Sequence, residues 1–379
     1  MSYYYSPGVY VKEIIPPAAP GLQTGIPVFI GYTSKSPVDK NDQAAHVLTC
    51  WQDFFQKFGA PIETGFLACA LRGFFDNGGK LCYVYPLKGE SEIALFHCLE
   101  MLESWQECDL VCAPDFMLTP NKATALQKAL LDHCEKQGDR FALIDSLTAS
   151  DENAVVKQRQ ALRSNNGALY YPWLRVNSGL ELGSRLIPPC GHIAGIYART
   201  DRQSGVHKAP ANVPINGIIG VENDINNDSQ DRLNPYGINC LRMFPGRGIR
   251  IWGARTLSAA PTWRYVNVRR LLMTVGRWCE KNLTDVLFEI NHPRLWARLE
   301  RALTAYLMEL FMRGALQGKT PQEAFYVKCD ANTNTNETRN AGTIITEIGL
   351  APSVPSEFIV MHIVHSNSGI HLTDRIKTT

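Results

Sequence analysis

The chain has no run of about 18 apolar residues, so no membrane-spanning helix is expected. It has no excess of one charge: 38 Lys and Arg stand against 36 Asp and Glu, which removes the electrostatic motive for a nucleic-acid or anionic-membrane partner. No basic n-region and no uninterrupted apolar stretch precedes Pro7, so a secretory leader is not expected. Internal repeats and low-complexity tracts are missing too. Cysteine is not scarce, yet its 11 copies stand singly in apolar context, as in Leu81-Cys82-Tyr83 and Val111-Cys112-Ala113. Without framework spacing they read as reduced, buried thiols of a protein made in the cytoplasm.

Signatures of catalysis and cofactor binding are also lacking. Gly314-Ala315-Leu316-Gln317-Gly318-Lys319-Thr320 has three residues between its glycines where a phosphate-binding loop needs four. A helical pattern precedes it where a strand is required, so helix termination is the better account. The turn after Ala113 reads Pro114-Asp115-Phe116-Met117, without the Gly-x-Gly that lets a pyrophosphate approach the backbone. No Gly-x-Ser-x-Gly elbow occurs. His362 and His365 stand three apart in a strand pattern and therefore point to opposite faces, which prevents them from sharing a metal. Cys108 and Cys112 would share a face only in a helix, and their context is loop and strand. Asp109, Asp115 and Asp145 lie near strand ends, where catalytic carboxylates occur, but helix N-capping and loop solvation account for them equally well. No metal, cofactor or catalytic residue is expected.

What the chain does have is an unusual beginning. Tyr3, Tyr4 and Tyr5 lead through Ser6-Pro7-Gly8 into Val9, Tyr10, Val11, Lys12, Glu13, Ile14 and Ile15, which is strand chemistry with no neighbouring strand to pair. Pro16, Pro17, Pro20 and Gly21 follow at once, so the segment cannot fold back as a tight hairpin and is set off as an extended arm. Its partner strands are expected in another copy of the protein.

Behind the arm, residues 26–32 and 81–85 read as strands, 51–58 and 66–76 as helices. Strands over 109–114, 141–145 and 168–176 then alternate with helices over 93–105, 120–137 and 152–165. This alternation predicts an α/β layer: a largely parallel sheet covered on both faces. A helix is expected after Pro188-Pro189, and short strands at 215–221 and 248–254 in a stretch rich in Gly, Pro and Asn. Two long amphipathic helices follow, over 265–282 and 293–315; their arginines, Arg269, Arg270, Arg294, Arg298, Arg301 and Arg313, read by default as a solvated face and otherwise as an interface to an acidic partner. Strands are expected at 343–350 and 357–364, the second apolar on both faces and buried in a sheet. Past His365 a weak alternation through Ile370, Leu372 and Ile376 suggests a second arm. The expected divisions are an arm over 1–20, an α/β domain over 21–255, an α+β domain over 256–364 and an arm over 365–379.

Several of these stretches together resemble the contractile tail sheath family of myophage tails, R-type pyocins and extracellular contractile injection systems. They are Ser6-Pro7-Gly8-Val9-Tyr10-Val11-Lys12-Glu13, Phe74-Phe75-Asp76-Asn77-Gly78-Gly79, Gly195-Ile196-Tyr197-Ala198-Arg199-Thr200-Asp201 and Gly205-Val206-His207-Lys208-Ala209-Pro210-Ala211-Asn212. Gly248-Ile249-Arg250-Ile251-Trp252-Gly253-Ala254-Arg255-Thr256, Tyr265-Val266-Asn267-Val268-Arg269-Arg270-Leu271, Gly314-Ala315-Leu316-Gln317-Gly318 and Pro355-Ser356-Glu357-Phe358-Ile359 complete the series. Glu289-Ile290-Asn291 departs from the family's Glu-Pro-Asn.

The resemblance implies a subtilisin-like outer domain without a protease triad, since neither a His-Gly-Thr nor a Gly-Thr-Ser block is present. It implies a structural protomer that stacks as helical hexameric layers around an inner tube and shortens to drive the tube through an envelope, without nucleotide. Its partners would be further copies of itself, the inner tube protein, baseplate and terminal cap proteins, and sheath paralogues. It would assemble in the bacterial cytoplasm as part of a phage tail or a released tail-like particle. The chain is short for a phage sheath, which favours a pyocin-like or extracellular injection particle. Val9, Tyr10, Val11, Ile14, Ile15, Ile370 and Leu372 would form inter-subunit arms added to a sheet containing Phe358, Val360 and His362. Arg313 and Lys319, as helix-borne charges, would touch the tube. A cryptic hydrolase or ligand-binding α/β protein is the alternative.

Overall fold

The apolar run after Ile26 is short and enriched in β-branched and aromatic residues, and it folds as a fully buried strand, β1 (Pro27–Gly31). The computed structural model describes residues 22–35, 45–87, 92–148, 151–177, 183–286, 289–355, 362–366 and 369–373. The N-terminal arm residues Val9, Tyr10, Val11, Ile14 and Ile15 lie outside them, as do Phe358 and Val360.

In chain order β1 is followed by β2 (His46–Leu48), α1 (Trp51–Phe58), α2 (Leu67–Asp76), β3 (Cys82–Pro86), α3 (Glu92–Glu103), β4 (Leu110–Cys112), α4 (Pro120–Gln137), β5 (Phe141–Asp145), α5 (Glu152–Ala161) and β6 (Gly167–Tyr171). Next come β7 (Leu174–Asn177), β8 (Ser184–Ile187), α6 (Cys190–Ser204), β9 (Gly220–Val221), α7 (Asn227–Leu233), β10 (Ile238–Phe244) and β11 (Gly248–Trp252). An eight-stranded sheet runs β11-β10-β6-β5-β4-β1-β3-β2, parallel inside and antiparallel only where the edge strands β2 and β11 join. A parallel sheet must be covered on both faces, and it is. Phe29, Leu110, Phe141, Leu143 and Tyr170 pack with α1, α2 and α6 on one side. Val28, Ile30, Val111, Ala142, Ile144 and Leu169 pack with α3, α4 and α5 on the other. Successive residues of one strand thus serve opposite layers.

Two expectations change here. The strand expected over 168–176 is two strands, because Pro172 offers no N–H to continue the ladder; β7 leaves for a three-stranded sheet with β8 and β9. The stretch expected to hold only weak strands at 215–221 and 248–254 contains the seven-residue β10, which pairs parallel with β6 and antiparallel with β11. The turn residues around Ile238–Phe244 masked its apolar pattern.

Beyond β11 the chain forms α8 (Val266–Asn282), α9 (Pro293–Met312), α10 (Pro321–Ala324), β12 (Phe325–Lys328), α11 (Asn336–Asn340) and β13 (Glu347–Leu350), then β14 (His362–Ser366) and β15 (Gly369–Thr373). Leu271, Val275, Trp278, Leu303 and Leu307 close a separate small core between α8 and α9, with Trp278 stacked on Tyr306 at 4.1 Å between ring centroids. β12 pairs antiparallel with β13, and β14 with β15, each as a two-stranded sheet. His362 opens β14 opposite Thr373, while Ile370 and Leu372 on β15 face His365 and Ile363. None of the described helices is long and apolar enough to cross a membrane.

Candidate functional site

α8 begins at Val266 after an extended Tyr265, and its apolar residues at positions 268, 271, 275 and 278 are buried. The face carrying Asn267 and Arg270 is buried as well, against the α/β layer rather than against α9. Arg270 was expected in a solvated face, and the structure corrects that: its side chain is 4% exposed. Its guanidinium donates from Nη1 to Asp201 Oδ1 at 2.9 Å and from Nη2 to Asp201 Oδ2 at 2.6 Å, a bidentate pair, and from Nη2 to Asp109 Oδ2 at 2.8 Å. It also lies over the Tyr197 ring, 4.9 Å from the centroid. Burial works against its charge, but Asp201 and Asp109 outweigh it and hold the guanidinium protonated beyond its ordinary range. Arg269 is half-buried, donating to Asn166 Oδ1 at 2.7 Å, whereas Arg294, Arg298 and Arg301 are exposed as expected.

The two carboxylates outnumber the one cation, and the remaining acceptor capacity is met by the entering chain. Asp109 Oδ2 accepts from the Gly25 amide at 3.0 Å and Oδ1 from the Ile26 amide at 2.7 Å; the Thr24 side chain bonds to Asp201. Gly25 has φ +74°, and a Cβ there would stand 2.5 Å from the Ala198 Cα, so glycine alone lets the chain press this closely on α6. One helical turn before Arg270, Asn267 Nδ2 donates to the carbonyls of His207 at 2.8 Å and Ser353 at 3.0 Å. Ser353 is itself stitched to the end of α9: its amide donates to Ala315 O and its hydroxyl to Gly314 O, both at 3.0 Å, and Gln317 N donates to Ala351 O at 2.7 Å. The glycine-rich stretch 314–320 therefore ends a helix and binds main chain, with Gly314 at φ +75°.

Of the two accounts of Asp109, Asp115 and Asp145, solvation fails, since all three are buried, while capping of a helix start holds for Asp115 and Asp145. Asp115 accepts from the amides of Tyr32, Phe66 and Leu67 and so caps the start of α2 from a distant loop. Asp145 accepts from Cys190 N at 2.8 Å, at the first residue of α6, and burial pushes its pKa up to about 7. Each is committed to backbone amides inside the fold. A depression of about 400 Å³ at the tip of the β10–β11 hairpin is lined only by apolar residues and glycine, among them Ile219, Met243 and Phe244. Among the described residues no cluster of three or more His, Cys, Asp or Glu is arranged for a metal. All 11 cysteines are free; Cys50, Cys69 and Cys279 are half-buried rather than buried as expected. Arg313 caps the end of α9, is exposed and pairs with Glu309, and Lys319 is exposed on the following loop.

No local pattern marks the Arg270 cluster, because its partners lie 69 and 161 residues away in sequence. A signal did exist in the resemblance: Asp201, His207, Asn267, Arg270 and Gly314 come from four separate family blocks that the fold brings together around α8.

Residues 99–257 match the family model described as the phage tail sheath protein central domain, and residues 258–366 match the phage tail sheath C-terminal domain. The tail sheath protein of Vibrio phage KVP40 is 25% identical over 270 residues, which cover 69% of this chain and 37% of that protein. The chain thus spans well under half the length of the curated phage relatives it matches. Two solved structures agree with it over nearly its whole length. The helical sheath of the anti-feeding prophage in its contracted state superposes with a TM-score of 0.80 at 32% identity, over 96% of this chain and 100% of that one. The PVC sheath complex of an extracellular contractile injection system, also contracted, gives 0.78 at 27% identity, over 97% and 99%. With both sheath domains matched in order and a 32% identical sheath structure superposing along its length, the chain belongs to the contractile tail sheath family.

Proposed function

We propose that the chain is a structural sheath protomer, polymerising in helical hexameric layers around an inner tube and contracting to drive that tube through a target envelope. The observation that carries this is the end-to-end agreement with a helical sheath in its contracted state. The eight-stranded layer acts as a rigid scaffold, subtilisin-like in arrangement and without catalysis, and the energy of firing resides in protein contacts.

Polymerisation runs through the terminal segments. The arm over 1–20, with Val9, Tyr10, Val11, Ile14 and Ile15, adds to a neighbour's sheet containing Phe358, Val360 and His362. A two-stranded sheet such as β14–β15 is marginal alone, and neither of its edges is paired among the described residues, so it is suited to receive a strand. The arm over 365–379, with Ile370 and Leu372, exchanges its in-chain pairing with β14 for the matching sheet of another copy; strand exchange replaces like with like and costs little. Repeated head to tail, such contacts do not close and generate a helix. Arg313 and Lys319 make a polar, releasable contact with the tube, and baseplate, cap proteins and sheath paralogues bind the ends of a phage tail or tail-like particle assembled in the bacterial cytoplasm. The division into outer and inner domains falls near residue 256.

Expression with the tube partner and negative-stain microscopy tests the reading. Striated hollow cylinders are expected; discrete oligomers or monomers under assembly conditions would overturn it.

A further inference from the structure

Two ends of the body meet on one helix. On the N-terminal side Thr24, Gly25 and Ile26 are clamped to Asp201 and Asp109, and both carboxylates are held by Arg270. On the C-terminal side Ser353 is held by Asn267, which is three residues before Arg270 and hence on the same side of α8. Both donor hydrogens of the Asn267 amide are spent on carbonyls from segments 60 and 86 residues away, so the side chain works as a cross-brace. The Arg270 contacts are charge-assisted, bidentate toward Asp201 and shielded from salt by burial, which makes them stiff as well as strong.

We infer that Asn267 and Arg270 form a coupling joint between the two terminal tethers: load arriving on the N-terminal segment and load arriving on the C-terminal segment are delivered to the same two turns of α8. The inference rests on the reading of those segments as links between copies of this chain. Its added content is that the links of one subunit are not independent. A neighbour that pulls on residues 24–26 displaces α8, and α8 carries Ser353 and the C-terminal tether with it. Contraction is then passed from subunit to subunit through one rigid lever instead of through two separately yielding hinges. Both are positioning residues: Asn267 holds main chain directly and Arg270 through the carboxylate of Asp109.

The test uses sheaths built by the full chain on its tube. Asn267→Ala is expected to leave striated cylinders in place but to give at least tenfold fewer fully contracted particles after triggering, with partly contracted ones accumulating. Leu130→Ala, a core change in α4 that removes none of the joint's hydrogen bonds, serves as a destabilised control and is expected to contract to completion. Complete contraction of Asn267→Ala, or equal stalling of the control, would overturn the joint. Hydrogen exchange on wild-type sheaths supplies a readout independent of any variant: the Gly25 and Ile26 amides should stay protected at least a hundredfold in both the extended and the contracted state. Exchange of these amides at unprotected rates in either state would overturn the inference even if the variant failed to assemble. Absence of cylinders from the wild-type chain would instead sink the functional reading, and the joint with it.

Discussion

Arg270 donates to Asp109 at 2.8 Å across 161 residues of chain, and through that bond the helical C-terminal part is anchored to the start of a central strand in the α/β layer. A buried ion pair of this kind is weak evidence for stability when compared with a well-packed apolar substitute, but removing one partner alone strands a charge. Arg270→Met should therefore lower the unfolding free energy by about 3–5 kcal/mol, read from the denaturant midpoint. The triple variant Arg270→Met, Asp109→Asn, Asp201→Asn should regain part of that loss, since no charge is left buried and unpaired, although the side-chain carbonyl introduced by Asp109→Asn can accept from only one of the Gly25 and Ile26 amides, which bond to different oxygens of Asp109. Additive losses in the triple variant would show that the cluster is not a coupled unit.

Stability should also depend on pH through Asp145. Its folded pKa of about 7 exceeds the ordinary 3.8 because burial disfavours the charged form. Below the ordinary value both states hold the proton; between the two values only the folded state does, so this group's contribution falls as pH rises through that window and is constant above it. His192, pushed down to about 4 by burial, titrates in the opposite sense over much of the same range, so the informative quantity is variant minus wild type. Asp145→Asn keeps an acceptor for Cys190 N and should gain about 2–4 kcal/mol relative to wild type between pH 4 and pH 8. A difference that does not change with pH would show that Asp145 titrates normally.

Much of the α/β layer was legible because its signals are local. The aromatic spacing at Trp51–Phe58 and the proline-started helix Pro120–Gln137 each appear with the bounds the pattern suggests, as does the strand Phe141–Asp145. β10 was hidden because its apolar residues are embedded in Asn, Pro and Gly turns on both sides, which dominate any window wide enough to show a period. The burial of Arg270 was hidden for a different reason. An arginine on an amphipathic helix looks the same whether water or two carboxylates from distant segments meet it, and only the fold decides.

The crossing of α2 and α6 makes a sharp steric prediction. A Cβ at Gly191 would stand 2.2 Å from the Ala70 carbonyl oxygen, a backbone atom that cannot swing away. Gly276, within α8 and exposed, has nothing within 4 Å of such an atom. Gly191→Ala should destabilise by about 1–3 kcal/mol through forced separation of the helices. Gly276→Ala should be neutral or stabilise by up to about 1 kcal/mol, because alanine is the better helix former. Equal thermal shifts for the two would mean that the helices can part without cost.

Deleting residues 1–15 separates folding from assembly. Buried hydrophobic side chains among the described residues begin at Val28, and the clamp on Asp109 and Asp201 begins at Thr24. The truncated chain thus retains every contact among the described residues that closes the two faces of the large sheet, together with the joint on α8. Its melting temperature should lie within a few degrees of the full chain, and its far-ultraviolet circular dichroism should be unchanged. What it loses is Val9, Tyr10, Val11, Ile14 and Ile15, the strand residues proposed to pair with a neighbour, so it should form no contractile sheath on the tube. A folded truncation that built striated cylinders and contracted them at the normal rate would show that the opening segment is not the tether. A truncation that failed to fold would show instead that the segment completes its own subunit's core.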